Sequence, residues 1–169
     1  CSAHGVSGSE ESAASVAARY LEPYSEVRTD QNGNLYATLG KDEAKKTILL
    51  DAHLDRIGLI VTDINDNGFV KVDKCGGMDP RILSGMEVTV HGTEDVYGIV
   101  SSIPPHLAKK EEEGKATPFK DLAIDTGLSD EELEKKVKPG DRVSLKAYPA
   151  ELLNGQVASV AMDDRAGIV

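Results

Sequence analysis

The chain has 169 residues, about one domain by length, and carries 19 lysines and arginines against 29 aspartates and glutamates, a formal net charge of -10. That balance excludes a phosphate-binding surface, which needs a basic excess, and it has the wrong sign for an anionic membrane surface. Tryptophan is absent and other aromatics are few, so the core must be aliphatic and alanine-rich.

No apolar run approaches the roughly 18 residues needed to span a bilayer, and no basic, apolar and small-residue succession of a signal peptide opens the chain. Cys1 and Cys75 cannot make a disulfide framework, so a reducing cytoplasm is the expected location. Neither a nucleic acid nor a membrane is an expected partner. The chain opens on Cys1 without a methionine and closes at Val169, so a trimmed start is expected as well.

Near the N-terminus, Ser7-Gly8-Ser9-Glu10 has the spacing of a capping box. Behind it Ala13, Val16, Ala17, Tyr20 and Leu21 recur at helical spacing, which predicts an amphipathic helix over 8–21, ended by Pro23. Asn32-Gly33 is a turn signal leading into an extended run at 34–39, a charged turn at 41–46 and a further run at 47–51. There, Ile48-Leu49-Leu50 is apolar without alternation, the pattern of a strand buried on both faces. Helix, hairpin and buried strand together predict an α/β layer.

After Gly58 the texture changes. Short β-type runs at 59–64, 69–73, 86–91 and 97–101 are separated by turns such as Asn65-Asp66-Asn67-Gly68 and Gly76-Gly77. Val88 and Val90 alternate with Glu87 and Thr89, a half-exposed strand. These runs predict a small antiparallel barrel. Residues 108–118 read as a charged loop, and Ser129-Asp130-Glu131-Glu132 as a second capping box for a short helix to about Lys136. Pro139-Gly140-Asp141 turns into a strand at 142–147. From Gly155 the chain becomes small and apolar until Asp163-Asp164. The expected organisation is an α/β domain made of 1–58 and 156–169, interrupted by a β-barrel insert at 59–155.

Two short motifs carry chemistry. His53 and Asp55 sit two apart at the end of the expected strand, the spacing at which a carboxylate can hold one imidazole nitrogen while the other binds a metal. The carboxyl ends of strands are also where open α/β sheets place their sites. Taken alone, His-x-Asp also suits a histidine simply satisfied by its neighbour. Asp163-Asp164 offers a carboxylate able to bridge two cations about 3.5–4 Å apart, and equally suits a helix N-terminus, where the macrodipole favours acidic residues.

Read in order, seven short strings resemble the M42 family of metallo-aminopeptidases, which includes glutamyl aminopeptidases and the large tetrahedral aminopeptidases. They are Gly5-Val6-Ser7-Gly8-Ser9-Glu10, Ala52-His53-Leu54-Asp55 with Ile57-Gly58, Asp66-Asn67-Gly68, Gly76-Gly77-Met78-Asp79-Pro80-Arg81, Pro104-Pro105-His106-Leu107, Leu122-Ala123-Ile124-Asp125 and Met162-Asp163-Asp164-Arg165-Ala166-Gly167. Each is unspecific by itself; the ordered set is not.

The resemblance implies a zinc-peptidase-like α/β catalytic domain with a PDZ-like β-barrel insert, two divalent metal ions (zinc or cobalt) and removal of N-terminal residues from peptides. By motif, His53 would ligate one metal, Asp163 would bridge both, Asp55 would enter the catalytic set by orienting His53, and Asp164 would follow Asp163 across a cis peptide bond. The family's catalytic glutamate and remaining ligands lie beyond the segments that this sequence matches. The metal site is therefore expected to be incomplete in this chain, and the 169 residues alone to be inactive. Arg56 stands where the family often has glutamate, which touches substrate preference more than metal binding.

Homo-oligomers from a dimer to a twelve-subunit assembly, formed through the β insert, are implied in the same way. The alternative reading is a non-catalytic self-association or peptide-binding β module. A glycosidase would need two carboxylates flanking a sugar bond, which His-x-Asp with Asp-Asp does not offer. Among other candidates, His4 on a terminus is a poor ligand, His91 is read as solvated, His106 as a loop anchor, Cys75 as a packing residue and 111–113 as a solvated loop.

Overall fold

A computed structural model describes residues 1–40, 43–104, 115–146 and 148–168. The chain divides into two compact units, Cys1–Arg56 with Tyr148–Val169, and Ile57–Ala147. The architecture is α/β with a closed six-stranded barrel.

In the first unit, α1 (Glu11–Leu21) buries Ala13 and Ala17 on its inner stripe. It starts later than the spacing of Ser7 and Glu10 predicts. Gly8 has φ +83°, a left-handed conformation that cannot open a right-handed helix. The N-cap is Glu10, which makes no side-chain cap; its carboxylate instead accepts the Gly8 N–H at 2.6 Å.

Strands β1 (Val27–Thr29) and β2 (Leu35–Ala37) form an antiparallel hairpin. The Asp30 carboxylate closes its loop by accepting the backbone N–H groups of Asn32 and Asn34, both at 2.9 Å, and Gly33 supplies a φ of +86°. This carries the turn expected at Asn32-Gly33.

The strand expected over 47–51 does not form. Ile48, Leu49 and Leu50 are 83, 81 and 89 % exposed, and no strand pairs with them among the described residues. An apolar run becomes a buried strand only when a ladder neighbour satisfies its backbone and a packed layer covers its side chains. Lys41 and Asp42, in the expected charged turn, lie outside the described residues.

The second unit is the barrel. Strands β3 (Gly58–Ile64), β4 (Phe69–Cys75), β5 (Glu87–His91), β6 (Asp95–Ser101), β7 (Ala123–Asp125) and β8 (Arg142–Leu145) close in the order β3-β4-β7-β6-β5-β8, with β8 paired back to β3. Every pairing is antiparallel, and closure removes exposed strand edges. In β6, Val96 and Val100 point inward while Tyr97 and Ile99 face out, the period of two that the pleat imposes.

The interior is filled by Leu59, Val61, Val70, Val72, Val88, Val90, Ile124 and Val143, joined by Leu83, Leu122 and Leu133. Leu133 belongs to α2 (Asp130–Leu133), where Ser129 and Glu132 form the reciprocal capping box expected from their spacing. Strand β7 was not legible, since three residues show no alternation to count.

Gly92 lies where the β5–β6 turn meets the Lys136 backbone. A Cβ there would sit 2.0 Å from the Lys136 carbonyl oxygen, which already accepts the Thr93 N–H at 2.8 Å and cannot withdraw without losing that bond. Gly92→Ala is therefore expected to destabilise the barrel by about 1–3 kcal/mol, read as a lower denaturation midpoint; an unchanged midpoint would show that the loop yields freely.

The chain leaves the barrel and re-enters the first unit at Tyr148, earlier than the 156 expected from sequence. The reason is pairing: β9 (Ala150–Leu152) is the antiparallel partner of β10 (Gln156–Ala158), so 148–155 group with β10 and not with the barrel. At the other edge the division falls after Arg56 rather than Gly58, because β3 already begins at Gly58. A single irregular helical turn, α3 (Met162–Arg165), ends the first unit's described structure together with the 3-10 turn Ala166–Ile168.

Candidate active site

The site lies wholly in the first unit and is assembled from three segments distant in sequence. The stretch 52–55 is extended but unpaired, and Arg56 joins Val6 in an isolated parallel bridge. The Arg56 N–H donates to the Gly5 carbonyl at 2.9 Å, and the Ser7 N–H to the Arg56 carbonyl at 3.3 Å. These bonds lay the N-terminal segment against the His53–Asp55 segment, with Val6 fully buried between its neighbours.

On this base the side chains form a linear network. His53 Nδ1 lies 3.0 Å from Asp55 Oδ1 and 3.2 Å from the Asp55 carbonyl. Its Nε2 lies 3.2 Å from Asp163 Oδ1, across 110 residues of chain. Asp55 Oδ2 accepts the Ser7 hydroxyl. Asp163 is open to solvent, its side chain 97 % exposed.

The electrostatics follow these contacts. The Ser7 hydroxyl, more than the neighbouring imidazole, holds the Asp55 carboxyl below the ordinary carboxylate range. The hydrogen bond to the Asp163 carboxylate, ahead of the contributions of Asp55, pushes the His53 ring upward. The contact between His53 and Asp163 is thus a place where positive charge is welcome.

Asp163 and Asp164 do not form a helix N-terminus. Their backbone angles are not helical, Ala161 before them has φ +56°, and the peptide between them is cis. The Asp164 carboxylate folds back toward Gly167, where an added Cβ would lie 2.9 Å from its Oδ1; it does not reach His53.

Arg165 ties the three segments together. Its guanidinium, on a residue only 5 % exposed, donates from Nε to the Leu54 carbonyl at 2.7 Å and from Nη1 to the carbonyls of Cys1 and Ala3 at 2.9 and 2.6 Å. Nη2 reaches the Gly5 carbonyl at 3.5 Å. A Cβ on Gly5 would meet Nη2 at 2.3 Å, so only glycine admits the arginine there.

Of the sequence-derived candidates, the structure brings His53, Asp55 and Asp163 together and leaves Asp164 beside them. Arg56 is buried and contributes its backbone to the frame. His4 bonds the Ser9 hydroxyl at 3.0 Å. His91, read as solvated, is instead largely covered, with Nδ1 2.7 Å from Asp95 Oδ1 and Nε2 2.8 Å from Ser144 Oγ. The β5–β8 register places it beside that strand, and Ser144 is itself buried. His106 and 111–113 lie outside the described residues.

Sequence reasoning missed Ser7 and Arg165. The first was hidden by its local capping pattern, the second by its place at the tail of a motif valued for its aspartates. Among the described residues no group of three or more histidine, cysteine, aspartate or glutamate side chains is arranged to hold a metal ion.

Residues 33–169 match the family model described as M42 glutamyl aminopeptidase. FrvX of Escherichia coli strain K12 is 30% identical over 172 residues, covering 99% of this chain and 48% of its own. Among solved structures, the TET aminopeptidase of the marine sediment archaeon Thaumarchaeota archaeon SCGC AB-539-E09 aligns with a TM-score of 0.89 at 33% identity, covering 98% of this chain and 48% of that one. The TET1 peptidase of Pyrococcus horikoshii, which can assemble into a tetrahedron or a large octahedral shell, aligns with a TM-score of 0.85 at 37% identity, covering 98% and 50%. The chain thus spans about half the length of these relatives. On the family model and on identity spread over nearly its whole length, the chain belongs to the M42 glutamyl aminopeptidase family.

Proposed function

We propose that the whole protein is a metal-dependent aminopeptidase that removes N-terminal residues from peptides with the help of two divalent ions, zinc or cobalt. The observation that carries this reading is the convergence of His53 Nε2 and Asp163 Oδ1 at 3.2 Å while Nδ1 is committed to Asp55. Metal–nitrogen and metal–oxygen bonds of roughly 2.0–2.2 Å at angles of roughly 90–110° separate two ligands of one ion by about 2.9–3.5 Å. The donor pair therefore fits one edge of a coordination shell. An imidazole and a carboxylate also suit several divalent ions.

In this reading His53 and Asp163 would hold metal, Asp163 having a second oxygen for a second ion. Asp55 would hold the proton on Nδ1, which would leave the Nε2 lone pair for the metal. Asp164 follows Asp163 across the cis peptide. When bound, the ions would polarise the scissile carbonyl and make water acidic enough to attack near neutral pH. One imidazole and one carboxylate cannot hold two divalent ions, so the 169-residue chain by itself is expected to be without peptidase activity.

Likeness to a peptidase that assembles into shells supports a homo-oligomer, which we place at the barrel. No helix among the described residues is long and apolar enough to cross a membrane, and we place the protein in the cytoplasm. A second reading, a self-association or peptide-binding β module, is favoured by one observation. The barrel closes completely within this chain, whereas Ile48-Leu49-Leu50 of the first unit stands uncovered.

Amino-acid p-nitroanilides offered with and without Zn²⁺ or Co²⁺ separate the two. Metal-dependent release by the whole protein, abolished by chelator, is the expected result, with none from the 169-residue chain. A whole protein inert under all metals would sink the peptidase reading, and turnover by the 169 residues alone would overturn the claim that they are insufficient.

A further inference from the structure

We infer that Ser7 is a positioning residue for the His53 imidazole, acting through Asp55 from the far end of the network. The inference rests on the reading of His53 and Asp163 as metal ligands.

The N-cap of α1 is Glu10, whereas the Ser7-x-x-Glu10 spacing predicts a cap by the Ser7 hydroxyl. It donates instead to Asp55 Oδ2, a carboxylate 48 residues away whose other oxygen holds His53 Nδ1 at 3.0 Å. A carboxylate anchored at one oxygen swings about its terminal torsion, which is soft. A carboxylate anchored at both is fixed in plane and in direction, and so is the ring that it holds.

The anchor is itself rigid. The Ser7 backbone donates to the Arg56 carbonyl, the Arg56 N–H donates to Gly5 and the Ser9 N–H closes on the Val6 carbonyl at 2.8 Å, around a fully buried Val6. The hydroxyl is thus presented by a segment with little freedom, directly behind the residue whose orientation decides where Nε2 points. Partners bonded directly to a metal ligand, as Asp55 is to His53, are typically worth about 10–100-fold in metal affinity, and Ser7, one hydrogen bond further out, is placed at the lower end of that range.

The test is the equilibrium affinity of the whole protein for Co²⁺, by competition with a chelator, with the visible absorption of the bound ion as a geometric signature. Ser7→Ala is expected to weaken Co²⁺ binding about 10-fold and to alter the spectrum, while Ser7→Thr, which keeps the hydroxyl, restores both. In an Asp55→Ala background, Ser7→Ala is expected to cost nothing further, since residues acting through one another are non-additive. Wild-type affinity in Ser7→Ala, or a full additional loss in the Asp55→Ala background, overturns the inference while leaving the metal site standing. Absence of Co²⁺ binding by the wild type overturns both.

Discussion

Replacing Arg165 by alanine is expected to destabilise the first unit by about 3–4 kcal/mol. The guanidinium donates to four backbone carbonyls, those of Cys1, Ala3, Gly5 and Leu54. All four bonds are wholly or partly shielded from water, so their loss falls near the lower end of the cost of an unmade buried bond, about 1 kcal/mol each.

Lysine is not a substitute, because a single ammonium cannot span acceptors that lie on different segments of the chain. Arg165→Lys is therefore expected to recover less than half of the loss. Gly5→Ala should reproduce part of the same defect from the other side, since its Cβ would occupy the space of Nη2. Denaturant unfolding of the whole protein reads the effect, and amide exchange locates it. The Arg56 N–H, bonded to Gly5 in the intact frame, should lose its protection. An Arg165→Ala variant that unfolds within about 0.5 kcal/mol of wild type, the range of an ordinary surface change, would show that the arginine holds nothing together.

Asp163→Ala is expected to have the opposite profile. The side chain is almost fully exposed and its side-chain contact is with His53, so stability should change by no more than about 0.5 kcal/mol. Affinity for Zn²⁺ or Co²⁺ should nevertheless fall by more than about 100-fold, because even partners behind a ligand cost about 10–100-fold and a ligand must cost more. Peptidase activity of the whole protein should fall with it. In the metal-free protein the His53 ring should titrate lower than in wild type, since the hydrogen bond to the Asp163 carboxylate is the main influence raising it. Chelator competition and ring NMR read the two effects. Retained wild-type metal affinity would remove Asp163 from the proposed ligand set.

Arg165 and Asp163 stand two residues apart and divide the work of one loop. The arginine turns inward and fixes where the loop lies; the aspartate turns outward and does nothing for the fold. The motif Met162-Asp163-Asp164-Arg165 therefore places a buried arginine that bonds the backbone and an exposed aspartate that meets His53 two positions apart.

Much of the barrel was legible in the amino-acid order. Val88 and Val90 alternate with polar neighbours and do point inward. Ser129 and Glu132 form the cap that their spacing announces, and the Asn65–Gly68 turn joins β3 to β4. These are local properties: side-chain alternation follows from the pleat and capping from four consecutive residues. The same logic failed at Ser7, where the local pattern was present but a distant carboxylate competed for the hydroxyl and won. It failed again at Ile48-Leu49-Leu50, because burial requires a covering layer that the run cannot specify by itself. His91 reads as a turn residue, yet strand register sets it against Ser144 and Asp95.

Amino-acid order alone was enough for the family and for the barrel's alternating interior, and it named His53, Asp55 and Asp163 as candidates, whose side chains do meet. Periodicity and short motifs are properties of neighbouring positions, and neighbours are all that a sequence displays directly. Which polar groups meet was a matter for the packed chain. His53 finds Asp163 across 110 residues, Ser7 finds Asp55 across 48, and Arg165 gathers three carbonyls from the opposite end of the chain and a fourth at Leu54. A hydrogen bond acts over about 3 Å, so its partner is fixed by how the backbone is packed and not by how far apart two residues stand in sequence.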